Sequence, residues 1–235
     1  MAFFAIADLH LSFARPKPMD IFGAQWVDHV EKIAARWREG VGENDTVLVA
    51  GDISWAMTFA EAEPDLRWIH ELPGQKILIR GNHDYWWDRV AWMRARVPSS
   101  IRLLHNDSIE VDGVRIAGAR GWDLPGKGWK DDPAADEKLY LRERGRLRMS
   151  LDSARGELPI LVMMHYPPFY TLDGNAGFHD LLRDAGAHTV VFGHLHGPDG
   201  ANAWQGTRDG VRYVFCACDG IDFSPVLLGT VTNFN

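Results

Sequence analysis

The chain has 235 residues, 46% of them apolar, which is enough for one sizeable core, and no linker divides it, so a single domain over 1–235 is expected. Asp and Glu outnumber Lys and Arg by 32 to 25, and the net charge of -7 argues against a protein that grips a nucleic-acid backbone unaided. The only two cysteines, Cys216 and Cys218, share one face of an extended strand but sit too far apart for an easy bridge, so a reducing cytoplasm is expected and a structural disulfide is not.

The opening MAFFAIADLHL lacks a basic leading region and breaks at Asp8 and His10 after a short apolar run. It reads as a strand over 2–7, neither a signal peptide nor a membrane span. Trp26, Val30, Ile33 and Trp37 then show helical spacing over 24–39, with Gly40 closing the helix. Strand TVLVA (46–50), a helix over 59–71, strand QKILI (75–79) and a helix over 86–96 repeat the cycle, an alternation that reads as α/β. IRLLH, DSIEV and VRIAGA follow as brief strands of a second sheet region, with Asp112 and Gly113 as a hairpin turn. Residues 121–131 read as a Gly- and aromatic-rich loop. Asp132 as N-cap and Pro133 at the first helical position then start a charged helix that runs to Ala154. Its Arg142, Arg144, Arg146 and Arg148 spread around the helix and read as a solvated face. Strand 158–165, helix 178–186 and strands 188–194, 211–217 and 225–231 complete the chain.

Metal-capable side chains come just after predicted strands in five places: Asp8 with His10, Asp52, Asn82 with His83, His165, and His194 with His196. Any one of these alone reads as a cap or a satisfied polar residue. Open α/β sheets, however, place their ligands beyond the carboxyl ends of the strands, so the five places can converge on one crevice. The set suggests two metal ions sharing one carboxylate. Carboxylates and neutral imidazoles suit Mn, Fe or Zn, and the absence of cysteine argues against a thiolate site. Two ions about 3.5 to 4 Å apart can hold a hydroxide and clamp phosphate oxygens during in-line displacement. The carbonyl of Asn82 would add a ligand without adding negative charge.

Asp8-Leu9-His10, Gly51-Asp52, Gly81-Asn82-His83-Asp84, His165 and Gly193-His194-Leu195-His196 resemble, in order and in strand-end placement, the signature series of the calcineurin-like metallophosphoesterases. More narrowly, GDISWA at 51–56 with RGNHDYWW and GHLHG resembles a group of small bacterial predicted phosphohydrolases of this superfamily. The resemblance implies a four-layer α-β-β-α fold, a two-sheet β-sandwich flanked by helices. It implies that Asp8, His10 and His196 hold one metal, that Asp52 bridges to a second, and that Asn82, His165 and His194 complete the second site. The implied cofactors are two divalent transition-metal ions, Mn or Fe foremost and Zn in third place. His83 matches the family's non-ligand histidine, expected beside the leaving-group oxygen as general acid or transition-state stabiliser.

Two departures from the family stand out. The protein Ser/Thr phosphatases of the superfamily continue the second motif as GDxxDRG, whereas here Ile53, Ser54, Trp55 and Ala56 follow Asp52. The Asp that orients the catalytic His and the Arg that binds phosphate are missing, which argues against protein phosphatase activity and leaves Asp84 or a backbone carbonyl to orient His83. Met164 stands before His165 where many members have Gly, a mild change. The expected activity is hydrolysis of a small phosphomonoester or phosphodiester through a metal-bridging hydroxide, with His83 and Asp84 as catalytic residues. The expected partner is a small phosphorylated substrate, neither membrane nor nucleic acid. The alternatives are a superfamily nuclease, disfavoured by charge, and a binding scaffold, which should have eroded ligands.

His29, His70, His105, His179 and His188 fall outside the motifs and read as ordinary residues, with His179 the one that could reach substrate. Among ten tryptophans, Trp26, Trp37 and Trp68 have core spacing, while Trp55, Trp86, Trp122 and Trp129 stand in or beside motif loops as pocket candidates. Substrate selection is assigned to loops 11–23, 121–131 and 170–177.

Overall fold

The computed structural model describes residues 1–125, 132–169 and 177–234. Its strands are β1 (Ala2–Ile6), β2 (Thr46–Val49), β3 (Gln75–Leu78), β4 (Ile101–Leu103), β5 (Ile109–Val111), β6 (Val114–Ala119), β7 (Ile160–Met164), β8 (Ala187–Phe192), β9 (Gly206–Arg208), β10 (Val211–Phe215) and β11 (Val226–Thr230). One sheet has the order β11-β1-β2-β3-β4 and the other β5-β6-β7-β8-β10-β9. Strands β1 to β4 run parallel, as do β6, β7, β8 and β10, while β5, β9 and β11 are antiparallel edges. The helices are α1 (His29–Gly40), α2 (Phe59–His70), α3 (Val90–Arg94), α4 (Pro133–Ser153), α5 (His179–Asp184), α6 (Gly197–Ala201) and α7 (Val231–Phe234).

Side chains alternate across a strand, so near-continuous apolar runs must be covered on both faces. Phe3, Ala5, Leu48 and Ile77 meet Ile116, Leu161, Met163 and Val191 between the sheets. The opposite residues of the first sheet, Phe4, Ile6, Val47 and Val49, pack under Ile33 and Trp37 of α1 and Leu66 and Ile69 of α2. On the far side Val162, Met164, Val190 and Phe192 pack under Leu147 and Leu151 of α4 and Leu182 of α5. Three apolar layers thus separate four structural ones, and the fold is the α-β-β-α sandwich expected from the sequence. Among the described residues no helix is long and apolar enough to cross a membrane.

Four local expectations change. The helix expected over 24–39 is interrupted: Ala24–Trp26 form a 3-10 turn, Val27 is extended, and Asp28 is left-handed at φ 53°, so α1 starts only at His29 and includes Gly40. The break lets Trp26 turn edge-on to His10 and His196, with ring centroids 5.9 and 5.7 Å away. The helix expected over 86–96 shrinks to Val90–Arg94, because Trp86 folds back to donate its Nε1–H to Asp84 Oδ1 at 2.9 Å. Strand β4 joins β3 in the first sheet and not the second. The arginine run of α4 is also less solvated than expected. Arg146 and Arg120 donate to the buried Glu143, and Arg144 to Asp180, which fastens α4 to the second sheet and α5. The Asp112-Gly113 hairpin and the Asp132 cap, which accepts from Ala134 N and Ala135 N, form as expected.

Candidate metal centre

Because β1, β2 and β3 are parallel, as are β7 and β8, their carboxyl ends lie along one edge of the sandwich. The sheets are joined there: Ala7 N–H donates to Cys216 O at 2.7 Å and Cys218 N–H to Ala7 O at 3.0 Å. The motif loops then run side by side, with Asp8 N–H donating to Gly51 O and His10 N–H to Asp52 O. Four of the motif residues have left-handed backbones, Asp8 (φ 62°), His10 (48°), Asp52 (50°) and His194 (72°). Such conformations are costly for non-glycine residues and collect at functional sites. The neighbouring glycines allow close approach: a Cβ on Gly81 would overlap Asp52 Oδ1 and its backbone nitrogen, and one on Gly193 would overlap Asp8 Oδ2.

All seven expected ligand residues come together. Potential ligand atoms of Asp8, His10 and His196 lie within 4.8 Å of one another, as do those of Asp8, Asp52 and His165. Asp52 Oδ2 is 3.9 Å from His10 Nε2 and 3.5 Å from His165 Nε2. Asn82 Oδ1 is 2.6 Å from His165 Nε2 and 3.0 Å from His194 Nδ1.

The residues fit a cation. His165 Nδ1 lies 3.0 Å from the Ala50 carbonyl, which can only accept, so Nε2 is left with a lone pair facing Asn82 Oδ1. Asp8 Oδ1 is buried without a hydrogen-bond partner. Burial, then the charge of Asp8, pushes the Asp52 carboxyl well up. Burial likewise holds His10 and His165 well below the usual imidazole range and His194 down to about 3, so these rings are neutral, as ligands must be. For His196 burial works against protonation, but the carboxylates of Asp219 and Asp8 outweigh it and hold the ring up to about 10.

His83 sits at the mouth with 37% of its side chain exposed. Its N–H donates to Asp52 Oδ1 at 2.8 Å and its Nε2 lies 4.0 Å from Asp52 Oδ2. Asp84 does not orient that ring. Fully buried, its carboxylate accepts from Ile53 N, Ser54 N, Gly81 N and Trp86 Nε1, and these four donors hold the Asp52 and Asn82 loops together. Asp84 is therefore a positioning residue for the loops.

Of the pocket candidates, Trp55 stacks on His10 (4.8 Å, 18° between planes) and lies 4.4 Å from His83. Trp86 is buried in the core below the site. Trp122 lies against Tyr166, whose ring is 4.0 Å from His194. Trp129, with most of the 121–131 and 170–177 loops, lies outside the described residues. His179 is turned to Tyr213 and Asp209, at 2.6 and 2.8 Å.

The sequence reading missed Asp219, in the CACDG segment after β10. Its Oδ1 is 2.8 Å from His196 Nδ1, and its Oδ2 accepts from Gly197 N–H at 3.2 Å. A sixth metal-capable side chain just after a parallel strand was the available signal. A carboxylate on the far nitrogen of a ligating imidazole fixes its tautomer and raises its basicity. Asp219→Ala is expected to weaken divalent-metal binding by about 10- to 100-fold. Competition against a chelating dye measures this, and unchanged affinity would remove Asp219 from the site.

A family model described as calcineurin-like phosphoesterase matches residues 1–198. The Gene 66 protein of Mycobacterium phage L5 is 37% identical over 78 residues, covering 33% of this chain and 37% of its own length. That of Mycobacterium phage D29 is 40% identical over 79 residues, covering 33% of this chain and 38% of its own. The matches thus span well under half of those relatives. The crystal structure of a protein of unknown function from Aquifex aeolicus aligns over 96% of this chain and 95% of that one, at 17% identity and a TM-score of 0.46.

Proposed function

Because the chain belongs to the calcineurin-like phosphoesterase family, we propose that it is a metal-dependent phosphoric ester hydrolase acting on small phosphomonoesters or phosphodiesters. The observation that carries this reading is the convergence of Asp8, His10, Asp52, Asn82, His165, His194 and His196 on one crevice, with Asn82 Oδ1 between the rings of His165 and His194. Bound there, two divalent ions, Mn or Fe foremost and Zn in third place, supply Lewis-acid polarisation of the phosphoryl oxygens and activation of the attacking water. Asp8, His10 and His196 would hold one and Asn82, His165 and His194 the other, with the Asp52 carboxylate available to them. We place the activity in a reducing cytoplasm, in keeping with the free, buried thiols of Cys216 and Cys218.

The protein's own part in the chemistry falls to His83. Burial, then the charge of Lys17, holds its imidazole below the usual range, so at neutral pH the ring is neutral and offers one N–H to the leaving-group oxygen. Hydrolysis of p-nitrophenyl phosphate and bis-p-nitrophenyl phosphate by Mn-loaded protein tests the reading. Turnover that depends on both Mn and His83 supports it, and absence of turnover on both esters sinks it.

A further inference from the structure

The phosphate-binding Arg that protein phosphatases carry after the bridging Asp has no counterpart here, since Trp55 and Ala56 occupy that stretch. A different cation stands at the mouth. Lys17 Nζ lies 3.0 Å from the centroid of the Trp55 ring, and that ring is 4.4 Å from His83 and 4.8 Å from His10. Among the described residues no hydrogen bond or ion pair engages the amine, whose contact with the protein is the indole face.

The lysine is also held in place. It stands between Pro16 and Pro18, its N–H donates to Ser12 Oγ at 3.2 Å, and Ser12 Oγ–H reaches back to Lys17 O at 3.5 Å. Phe13 N–H donates to Asp65 Oδ1 at 2.9 Å, and the buried Asp65 also accepts from Ser54 Oγ, next to Trp55. The loop that carries Lys17 is thereby fastened to the loop that carries Asp52. Among the described residues this ammonium has no anionic partner, and it stands near a half-exposed histidine and a metal-binding crevice.

We propose that Lys17 is a substrate-binding residue that receives the phosphoryl group beside His83, and that it tunes the site to the dianion of a phosphomonoester over the monoanion of a diester. This rests on the hydrolase reading and deepens it. Coulomb attraction to a fixed cation doubles with the anion's charge, so the monoester gains more from Lys17 than the diester.

The test compares wild type, Lys17→Met and Lys17→Arg, with Lys138→Met on the exposed face of α4 as a charge control. All are Mn-loaded, checked for unchanged melting temperature, and assayed at pH 8. A lost charge-assisted contact predicts a fall of about tenfold or more in kcat/KM for p-nitrophenyl phosphate in Lys17→Met, with a several-fold smaller fall for bis-p-nitrophenyl phosphate. Isothermal titration with inorganic phosphate should show a matching loss of affinity, and Lys17→Arg should restore most of both. Equal falls for the two esters, no fall for either, or unchanged phosphate affinity overturns the proposal. So does a wild type that cleaves only the diester, which leaves the hydrolase reading standing. If wild type cleaves neither ester, that reading fails by itself, and the phosphate titration alone decides for or against Lys17.

Discussion

Replacing Asp8 by Asn is expected to reduce phosphoesterase activity to background and to remove the protein's stabilisation by Mn. Asp8 is fully buried, and its ligand atoms belong to both potential metal groups. One oxygen accepts from His194 N–H at 3.0 Å, a bond the Asn carbonyl can keep, and the other has no hydrogen-bond partner. Losing a charged ligand common to both groups removes the attraction that brings a divalent ion into a buried site. In the metal-free fold the same charge acts in opposite senses, helping push the Asp52 carboxyl up and helping hold a proton on His196. Wild type should gain about 2.7 kcal/mol from Mn at a hundred times its dissociation constant, and Asp8→Asn should gain almost none. Thermal melts with and without Mn, beside elemental analysis, read this difference. A variant that retains metal and turnover would overturn the placement of the site.

His83→Ala should separate chemistry from metal binding. The expected result is a loss of about 10²- to 10³-fold in kcat, the usual contribution of a positioned hydrogen-bond donor to a developing negative charge, with metal content and melting temperature unchanged. The reason lies in its placement. The ring is partly exposed, its closest carboxylate oxygen is 4.0 Å away, and only its backbone N–H makes a close bond to Asp52, which alanine preserves. Turnover within a few-fold of wild type would dismiss His83 from the reaction. Loss of metal together with activity would make it a ligand instead. The contrast with Asp219→Ala is informative, since that variant should weaken metal binding and recover its activity at higher Mn.

The metal-capable residues were legible because of where they stand. Asp8, Asp52, Asn82, His165 and His194 each follow an apolar run by a few residues, and parallel strands bring such positions to one edge whatever lies between them. The roles of neighbouring side chains were not legible. The sequence leaves Asp84 or a backbone carbonyl to orient His83, but four donors converge on the Asp84 carboxylate, and that set outweighs a single imidazole. Trp86 looked like a pocket residue by adjacency, yet its Nε1–H is satisfied by Asp84 and its ring completes the core above β3.

By itself the sequence determined the alternation of strands and helices and the list of metal-capable residues, because these follow from local periodicity and from residue types at strand ends, while the four-layer sandwich came from the resemblance of its motifs to the family. Only the tertiary structure decided which sheet the three-residue β4 joins, that Asp219 stands behind His196, that Asp84 braces two loops, and that Lys17 lies over Trp55 at the mouth. These depend on contacts between segments as much as 38 residues apart for Lys17 and Trp55, and 23 for Asp219 and His196. No local pattern encodes such contacts, since they are set by how packed layers bring separate loops together.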